Sequence, residues 1–311
     1  MRLEKVEDNN RGVKMRDNKY VPENKEELKS LVDDNAINLG DIDTSKITDM
    51  RELFSNTNRT DFSGIDTWNV SHVTDMSHMF YGIYGSLRGE SIGKWDVSNV
   101  KDMSNMFTYS FFDQPIGEWQ VSNVENMSGM FSGTPFNQPL ENWDVSNVKD
   151  MSYMFFDSDF NQPLANWDVS NVENMSGMFN SSKFNQHLSK WDVSNVKSMM
   201  GMFRFSPFSR PIGNWDVSNV ENMIEMFAYS SFNQDINNWN IANDCLINDI
   251  FLDSSFNLPI DNWWTGDLTI LGLGCSKKQV EFVEDKHVEI LEEKARKLKE
   301  EINHLESLLR R

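Results

Sequence analysis

Phe136-Asn137-Gln138-Pro139-Leu140-Glu141-Asn142-Trp143-Asp144-Val145-Ser146-Asn147-Val148-Lys149-Asp150-Met151-Ser152-Tyr153-Met154-Phe155 is one copy of a unit that recurs along the chain. With tryptophan as the landmark, the unit returns at Trp95, Trp119, Trp143, Trp167, Trp191, Trp215, Trp239 and Trp263, each 24 residues after the last. Two looser copies precede these, at Trp68 and at Ile42, where Ile42-Asp43-Thr44-Ser45-Lys46-Ile47 stands in for the motif. That makes ten units over roughly residues 42–275. Insertions fall only between early units, after Phe54 and Phe80, where residues 59–64 and 81–89 lengthen the connection. A fixed period of this length is the mark of a repeat architecture and decides how every local pattern is read.

Within the quoted copy, Trp143 and Val145 alternate with polar Asn142 and Asp144, the period of two that suits a short half-buried strand. Val148, Met151, Met154 and Phe155 follow at spacings of three, three and one, which predicts one face of a short helix or 3₁₀ turn. Ser146 stands where an N-cap belongs. Ser122/Glu125, Ser170/Glu173 and Ser218/Glu221 have the spacing of a capping box. Asn137, Asn161, Asn185, Asn233 and Asn257 form a column after the phenylalanine, with Asp113 and Ser209 as departures. Such a column predicts a ladder of side-chain amides bonded from unit to unit.

A strand plus a short helix cannot bury its apolar face alone, so the units must stack. The expected fold is an α/β repeat: a right-handed, leucine-rich-repeat-like solenoid with one parallel β-sheet and short helices or 3₁₀ turns. At a strand spacing of ~4.8 Å, ten units give a rod on the order of 45 Å long. Columns of Trp, Val, Met and Phe fill its core. The methionines, such as Met103, Met106, Met127, Met130, Met151 and Met154, occupy two of these columns, so they read as packing rather than as a soft-metal site. After the Val of Ser-Asn-Val, Lys101, Glu125, Lys149, Glu173, Lys197 and Glu221 alternate strictly in sign, which sets opposite charges side by side and hints at a 48-residue duplicated unit.

The 311 residues include 21 Phe, 18 Met and 10 Trp, ample material for a core, and carry a net charge of −19. Residues 42–275 hold 12 basic against 29 acidic side chains, so the repeats themselves carry −17. An acidic surface of this kind argues against nucleic acid and against anionic membranes, and favours a basic partner. With only Cys245 and Cys275, neither a disulfide framework nor a clustered-cysteine zinc site can be built. No stretch approaches the ~18 apolar residues of a membrane span.

The run Phe-Asn-Gln-Pro-Leu-x-x-Trp-Asp-Val-Ser-Asn-Val-x-x-Met-Ser-x-Met-Phe, as at residues 136–155 and 160–179, resembles the BspA-like leucine-rich-repeat surface protein family. The repeat of that family is also catalogued as a Mycoplasma domain of unknown function. The likeness covers about three quarters of the chain and a dozen positions in register. It implies a bacterial leucine-rich-repeat-like solenoid used in protein binding, often in surface proteins linked to adhesion to host proteins or other cells. The first residues, Met1-Arg2-Leu3-Glu4-Lys5-Val6-Glu7-Asp8, hold no apolar signal-peptide core, so the chain as written is expected in the cytoplasm. The resemblance implies the cell surface if the N-terminus is incomplete.

Outside the repeats, residues 1–20 read as a mobile lead-in and 21–41 as an N-terminal helical cap. The cap's helix is expected from Val21-Pro22 to Val32, with Leu28, Leu31 and Val32 on one face. Solenoid residues 42–275 are followed by residues 276–311. There Val288, Leu291, Ala295, Leu298, Ile302, Leu305 and Leu309 alternate spacings of three and four, the seam of a coiled-coil-like helix. That helix is expected either to form a homo-oligomer or to cap the last repeat.

No catalytic motif is present, and His72, His78, His187, His287 and His304 are scattered, so the expectation is not an enzyme. The nearest approach to a metal constellation is the column Asp96, Asp144, Asp168, Asp192 and Asp216. One carboxylate per unit falls short of the six to eight oxygens calcium wants, and hydrogen bonds to neighbouring Ser, Asn or backbone N–H explain it more simply. No metal and no cofactor is expected. Function then falls to positions that the repeat leaves free. Tyr109, Phe111, Tyr153, Phe156, Phe205 and Tyr229 lie between each closing Phe and the next unit, or just upstream, and would line one edge as a protein-binding surface. The face bearing Asp144, Asp168, Asp192 and Asp216 is the second candidate surface. Carbohydrate recognition by the aromatic edge and a cytoplasmic oligomeric scaffold are the alternative readings.

Overall fold

A computed structural model describes residues 13–83 and 91–263, together with the strand Glu7–Asp8 and the helical residues Arg296 and Lys299. The 24-residue period becomes a stack of coils. Asp49 pairs in parallel with Asp75, Asp75 with Asp102, and the pairing continues through Asn126, Asp150, Asn174, Ser198 and Asn222 to Leu246, one residue per coil.

The hydrogen bonds around Tyr153 show how each coil is held. Met151, Tyr153, Phe155 and Asp157 donate their backbone N–H groups to Asn174, Ser176, Met178 and Asn180 of the next coil, at 2.8–3.0 Å. The residues between them bond locally: Met154 N–H to Met151 O at 3.2 Å and Phe156 N–H to Tyr153 O at 3.1 Å. Overlapping turns thus alternate with coil-to-coil bonds. The helix expected over Val148 to Phe155 does not form, because Tyr153 and Asp157 take the left-handed conformation, with φ of 56° and 49°. A right-handed helical run cannot pass through such residues.

The Trp-Asp-Val segment also departs from expectation: it forms no strand. Its backbone groups are engaged within the coil, Trp143 N–H with Leu140 O and Val148 N–H with Val145 O. Asp144 Oδ1 accepts from both the N–H and the hydroxyl of Ser146, at 3.1 and 2.6 Å. Aspartate, not serine, therefore stabilises this turn, and Glu125, Glu173 and Glu221, expected at N3 of a capping box, donate backbone N–H groups to Lys101, Lys149 and Lys197 of the preceding coil. Among the described residues the 3₁₀ turns sit elsewhere, three of them just before the landmark position at Leu39–Asp41, Ile65–Thr67 and Ile92–Lys94.

Side chains link the coils where the backbone does not. Trp143 Nε1 donates to Ile116 O of the preceding coil and Trp167 Nε1 to Leu140 O, and the same bond recurs from Trp68 to Trp263. Tryptophan rings stack with Trp143 and Trp167 centroids 6.5 Å apart. The closing phenylalanines form a second column at 5.5–5.9 Å, and those of Phe-Asn-Gln a third, nested against it at 4.1 Å between Phe131 and Phe136. With the buried Met and Val columns these make one continuous core.

The asparagine ladder forms. Asn137 Oδ1 accepts from Asn161 N–H and Asn161 Oδ1 from Asn185 N–H, both at 2.9 Å. Asp113 and Ser209 keep the ladder unbroken, since each supplies an oxygen to the same partner position, Asn137 N–H and Asn233 N–H. What this column needs is an acceptor. Asn161→Asp is accordingly expected to keep the chemical denaturation midpoint, whereas Asn161→Ala should lower stability by about 1–2 kcal/mol by orphaning the Asn185 N–H. A second ladder is carried by the Asn of Ser-Asn-Val: Asn147 Nδ2 donates to Ser122 O at 2.8 Å and Asn171 Nδ2 to Ser146 O at 2.7 Å.

Three short strands lie in the lead-in where the structure describes it. Strand β1 (Glu7–Asp8), β2 (Lys14–Arg16) and β3 (Lys19–Tyr20) form an antiparallel sheet. The turn between β2 and β3 uses Asp17 and Asn18 at φ of 50° and 63°, residues suited to a two-residue hairpin. Tyr20 then pairs in parallel with Ile42, and Asp43 donates to Tyr20 O at 2.8 Å, so the hairpin joins the first coil at its landmark position. Helix α1 spans Lys25–Val32, three residues short of the expected start, because extended Asn24 caps it by accepting from Glu27 N–H at 2.9 Å. Leu28, Leu31 and Val32 are buried as expected.

Arg59 ties this cap to the stack. Only 3% exposed, its guanidinium donates to the carbonyls of Val32, Asp34, Ile37 and Asp61 at 2.7–2.9 Å. Cys275 and the heptad seam from Val288 to Leu309 lie outside the described residues.

Candidate functional site

Two columns of left-handed residues run along the turn edge. The first holds Glu52, His78, Asn105, Gly129, Tyr153, Gly177, Gly201, Glu225 and Asp249; the second holds Asn56, Gly82, Tyr109, Gly133, Asp157, Ser181, Phe205, Tyr229 and Asp253. Glycine and asparagine are the residues expected there. Bulky aromatics are not. Yet Tyr109, Tyr153, Phe205 and Tyr229 all take φ of 54–56°, and as residues they are 44%, 41%, 49% and 38% exposed.

Of the aromatics singled out from the sequence, Tyr109, Tyr153 and Phe156 come together in one groove of about 380 Å³. Tyr81 joins them, edge-on to Tyr109 with centroids 6.1 Å apart, as Phe156 is to Tyr153 at 5.9 Å. Asn105, Thr108, Ser128, Gly129, Ser132 and Ser152 complete the lining. The tyrosines are seated on glycines of the next coil: a Cβ on Gly133 would lie 2.4 Å from Tyr109 Cδ1, and one on Gly177 2.5 Å from Tyr153 Cε1.

Phe205 and Tyr229 make a separate patch, with rings near-parallel and 4.6 Å apart. The Arg204 guanidinium lies 4.6 Å over Phe205 and 5.6 Å over Tyr229. Its Nε is 2.9 Å from Glu225 Oε2, an ion pair too bent to be a hydrogen bond. Phe111 is the most exposed of the set at 63%. Sequence reasoning missed Tyr81, Asn105 and Arg204; Asn105 carried a signal, because glycine and tyrosine share its repeat column and mark a left-handed backbone, whereas Tyr81 and Arg204, each just before the second column, carried none.

Asp144, Asp168, Asp192 and Asp216 belong to the Trp-Asp-Val segment, and all are exposed. Each accepts from the serine two residues on, the Ser170, Ser194 and Ser218 N–H groups at 3.0–3.1 Å. Ser218 likewise holds the Asp216 carboxyl below its ordinary range, and Ser98 that of Asp96, against a small opposing effect of burial. What these bonds add to stability is therefore present above the usual carboxylate range and is lost as pH falls through the lowered values. No group of three His, Cys, Asp or Glu that could hold a metal occurs among the described residues.

Cys245 is buried, and its thiol is pushed up to about 11, mainly by burial and then by the Asp244 charge. Thiolate chemistry is suppressed. Alkylation of Cys245 by iodoacetamide at pH 8 should proceed only as fast as the last coils open, and its rate should climb with denaturant; prompt labelling of the native chain would show the site to be open.

A family profile matches the chain in four overlapping stretches, residues 26–134, 83–188, 108–209 and 180–273, and describes a Mycoplasma protein of unknown function, DUF285. The chain belongs to the DUF285 family. No curated protein and no solved structure matches it. Each DUF285 match spans roughly four 24-residue units and overlaps its neighbour, so the repeated coil itself is what the family shares with this chain. Both the aromatic groove and the Phe205–Tyr229 patch lie within DUF285 repeats.

Proposed function

We propose that this DUF285 chain is a non-enzymatic binding module, a right-handed, leucine-rich-repeat-like solenoid of the BspA-like adhesion type whose turn edge docks a protein partner. The observation that carries the reading is the aromatic rings at left-handed positions. Each such residue costs roughly 1–2 kcal/mol relative to an ordinary backbone conformation. Glycine serves the same columns elsewhere at no such cost, and the remaining residues there, such as Glu52, His78, Asp157 and Glu225, are polar or charged, so what sets the aromatics apart is the exposed ring surface they add, which suits recognition. Arg204 stacked on Phe205 and Tyr229 presents residue types that dominate protein interfaces. The −17 of the repeats favours a partner with a basic surface.

The test is capture from a lysate of the native cell on immobilised full-length chain. A specific protein should be retained, and lost on Phe205→Gly with Tyr229→Gly, a change that keeps the backbone conformation. Retention by neither wild type nor variant, or equal retention by both, would sink this reading.

A further inference from the structure

We infer that the groove between Tyr109 and Tyr153 is a binding site for a neutral oligosaccharide, separate from the Phe205–Tyr229 patch. The first argument is charge. All ten lining residues are uncharged, from Tyr81 and Asn105 to Ser152 and Phe156, on a repeat surface that carries −17. A charged ligand would find no ion-pair partner in this lining, and an anion would also be repelled by the surrounding field.

The second argument is the division of the lining. Aromatic rings stand as two edge-to-face pairs, while the hydroxyls of Ser128, Ser132 and Ser152 and the Asn105 amide supply the polar part, Thr108 being committed to Gly129 O and Asn105 Oδ1. Hydroxyls both donate and accept. A pyranose has the matching duality, with C–H faces that pack on rings and a rim of hydroxyls. Peptides and lipids do not repeat that alternation at every residue.

Rigidity is the third argument. Tyr109 and Tyr153 are fixed by left-handed backbone and by their seats on Gly133 and Gly177, so little freedom is lost on binding. The volume of about 380 Å³ falls at the small end of the roughly 300–1,000 Å³ typical of small-molecule sites. The groove is open, which suits a segment of a glycan chain.

The experiment uses the full chain on a glycan array carrying neutral, sialylated and sulfated glycans, followed by calorimetry with cellohexaose, chitohexaose and maltohexaose. Neutral glycans should be retained, and at least one hexasaccharide should bind with millimolar or better affinity. Tyr109→Gly with Tyr153→Gly removes both rings while leaving the residue that other coils carry in these columns, and should weaken binding by about tenfold or more. Phe205→Gly with Tyr229→Gly should bind the glycan as wild type does, whatever it does to a protein partner. Melting temperatures of both variants establish that the stack is intact. No neutral glycan retained, binding confined to sialylated or sulfated glycans, or unchanged binding by the Tyr109/Tyr153 variant would each overturn the proposal, as would equal loss in the Phe205/Tyr229 variant.

Discussion

Replacing Arg59 with alanine is expected to cost roughly 3–5 kcal/mol, the loss seen when a buried charged group is removed and its partners are left unsatisfied. The four carbonyls that it serves belong to three places: the end of α1 at Val32, the following turn at Asp34 and Ile37, and the first insertion at Asp61. No water can replace one planar fork reaching all of them at once. Burial pulls the guanidinium down from its ordinary pKa, opposed by the charges of Asp61, Asp34 and Asp33. Lysine brings a single ammonium with three donors and cannot span the same carbonyls, so Arg59→Lys should recover only a minor part of the loss. The effect should be local first: amide exchange in Lys25–Val32 should accelerate well before the later coils are exposed. Unchanged protection of α1 in Arg59→Ala would refute the account.

The columns were legible in the sequence because a period of 24 leaves nothing to local propensity. Which residues face inward follows from recurrence, and the buried Trp, Val, Met and Phe agree with it position by position. The path of the backbone between them was less legible. Val148, Met151, Met154 and Phe155 have helical spacing, yet the same spacing is met by overlapping turns once every fourth residue takes positive φ, a conformation betrayed by Gly82, Gly129, Gly133, Gly177 and Gly201 and by Asn56 and Asn105 in the same columns. Trp-Asp-Val alternates like a strand because its tryptophan points inward, but its aspartate turns the chain at once. Arg59 could not be found from the repeat at all, since it lies in an insertion and acts on carbonyls 22–27 residues earlier.

The structure also gives the sign alternation a partner. Beside Lys101, Glu125, Lys149 and Glu173 stand Asp102, Asn126, Asp150 and Asn174, which pair directly from coil to coil. Asn174 Nδ2 reaches Asp150 Oδ2 at 3.2 Å, and Lys149 lies 3.4 Å from Glu125. Were a coil to be skipped in this stretch, Lys101 would face Lys149 and Glu125 would face Glu173, like charges directly opposite. Each correct pair adds little at the surface. Their combined value is to penalise the misregistered stack, which an identical repeat would otherwise tolerate.

Trp143→Ala is the lesion expected to do most damage within the stack, at about 3–5 kcal/mol from lost burial and the cavity left behind. Its ring packs on Trp167 at 6.5 Å and against Phe131 at 6.3 Å, and its Nε1 satisfies Ile116 O at 3.1 Å, so two coil interfaces weaken together. Trp143→Phe keeps much of the packing and should lose less, chiefly the bond to Ile116 O at about 1–2 kcal/mol. The alanine variant has a further consequence peculiar to repeats. Stability here is a sum of coil terms and nearest-neighbour terms, so a weak interface in the middle lets the two halves open independently. Exchange of α1 amides reports the first half, and mass-resolved alkylation of Cys245 reports the second. In the wild type both should respond to urea with one midpoint, whereas in Trp143→Ala they should separate, because neither half any longer transmits its stability across the fifth coil. Coincident midpoints in the variant, merely shifted to lower urea, would mean that coupling between coils is carried by the backbone ladder and not by the tryptophan column.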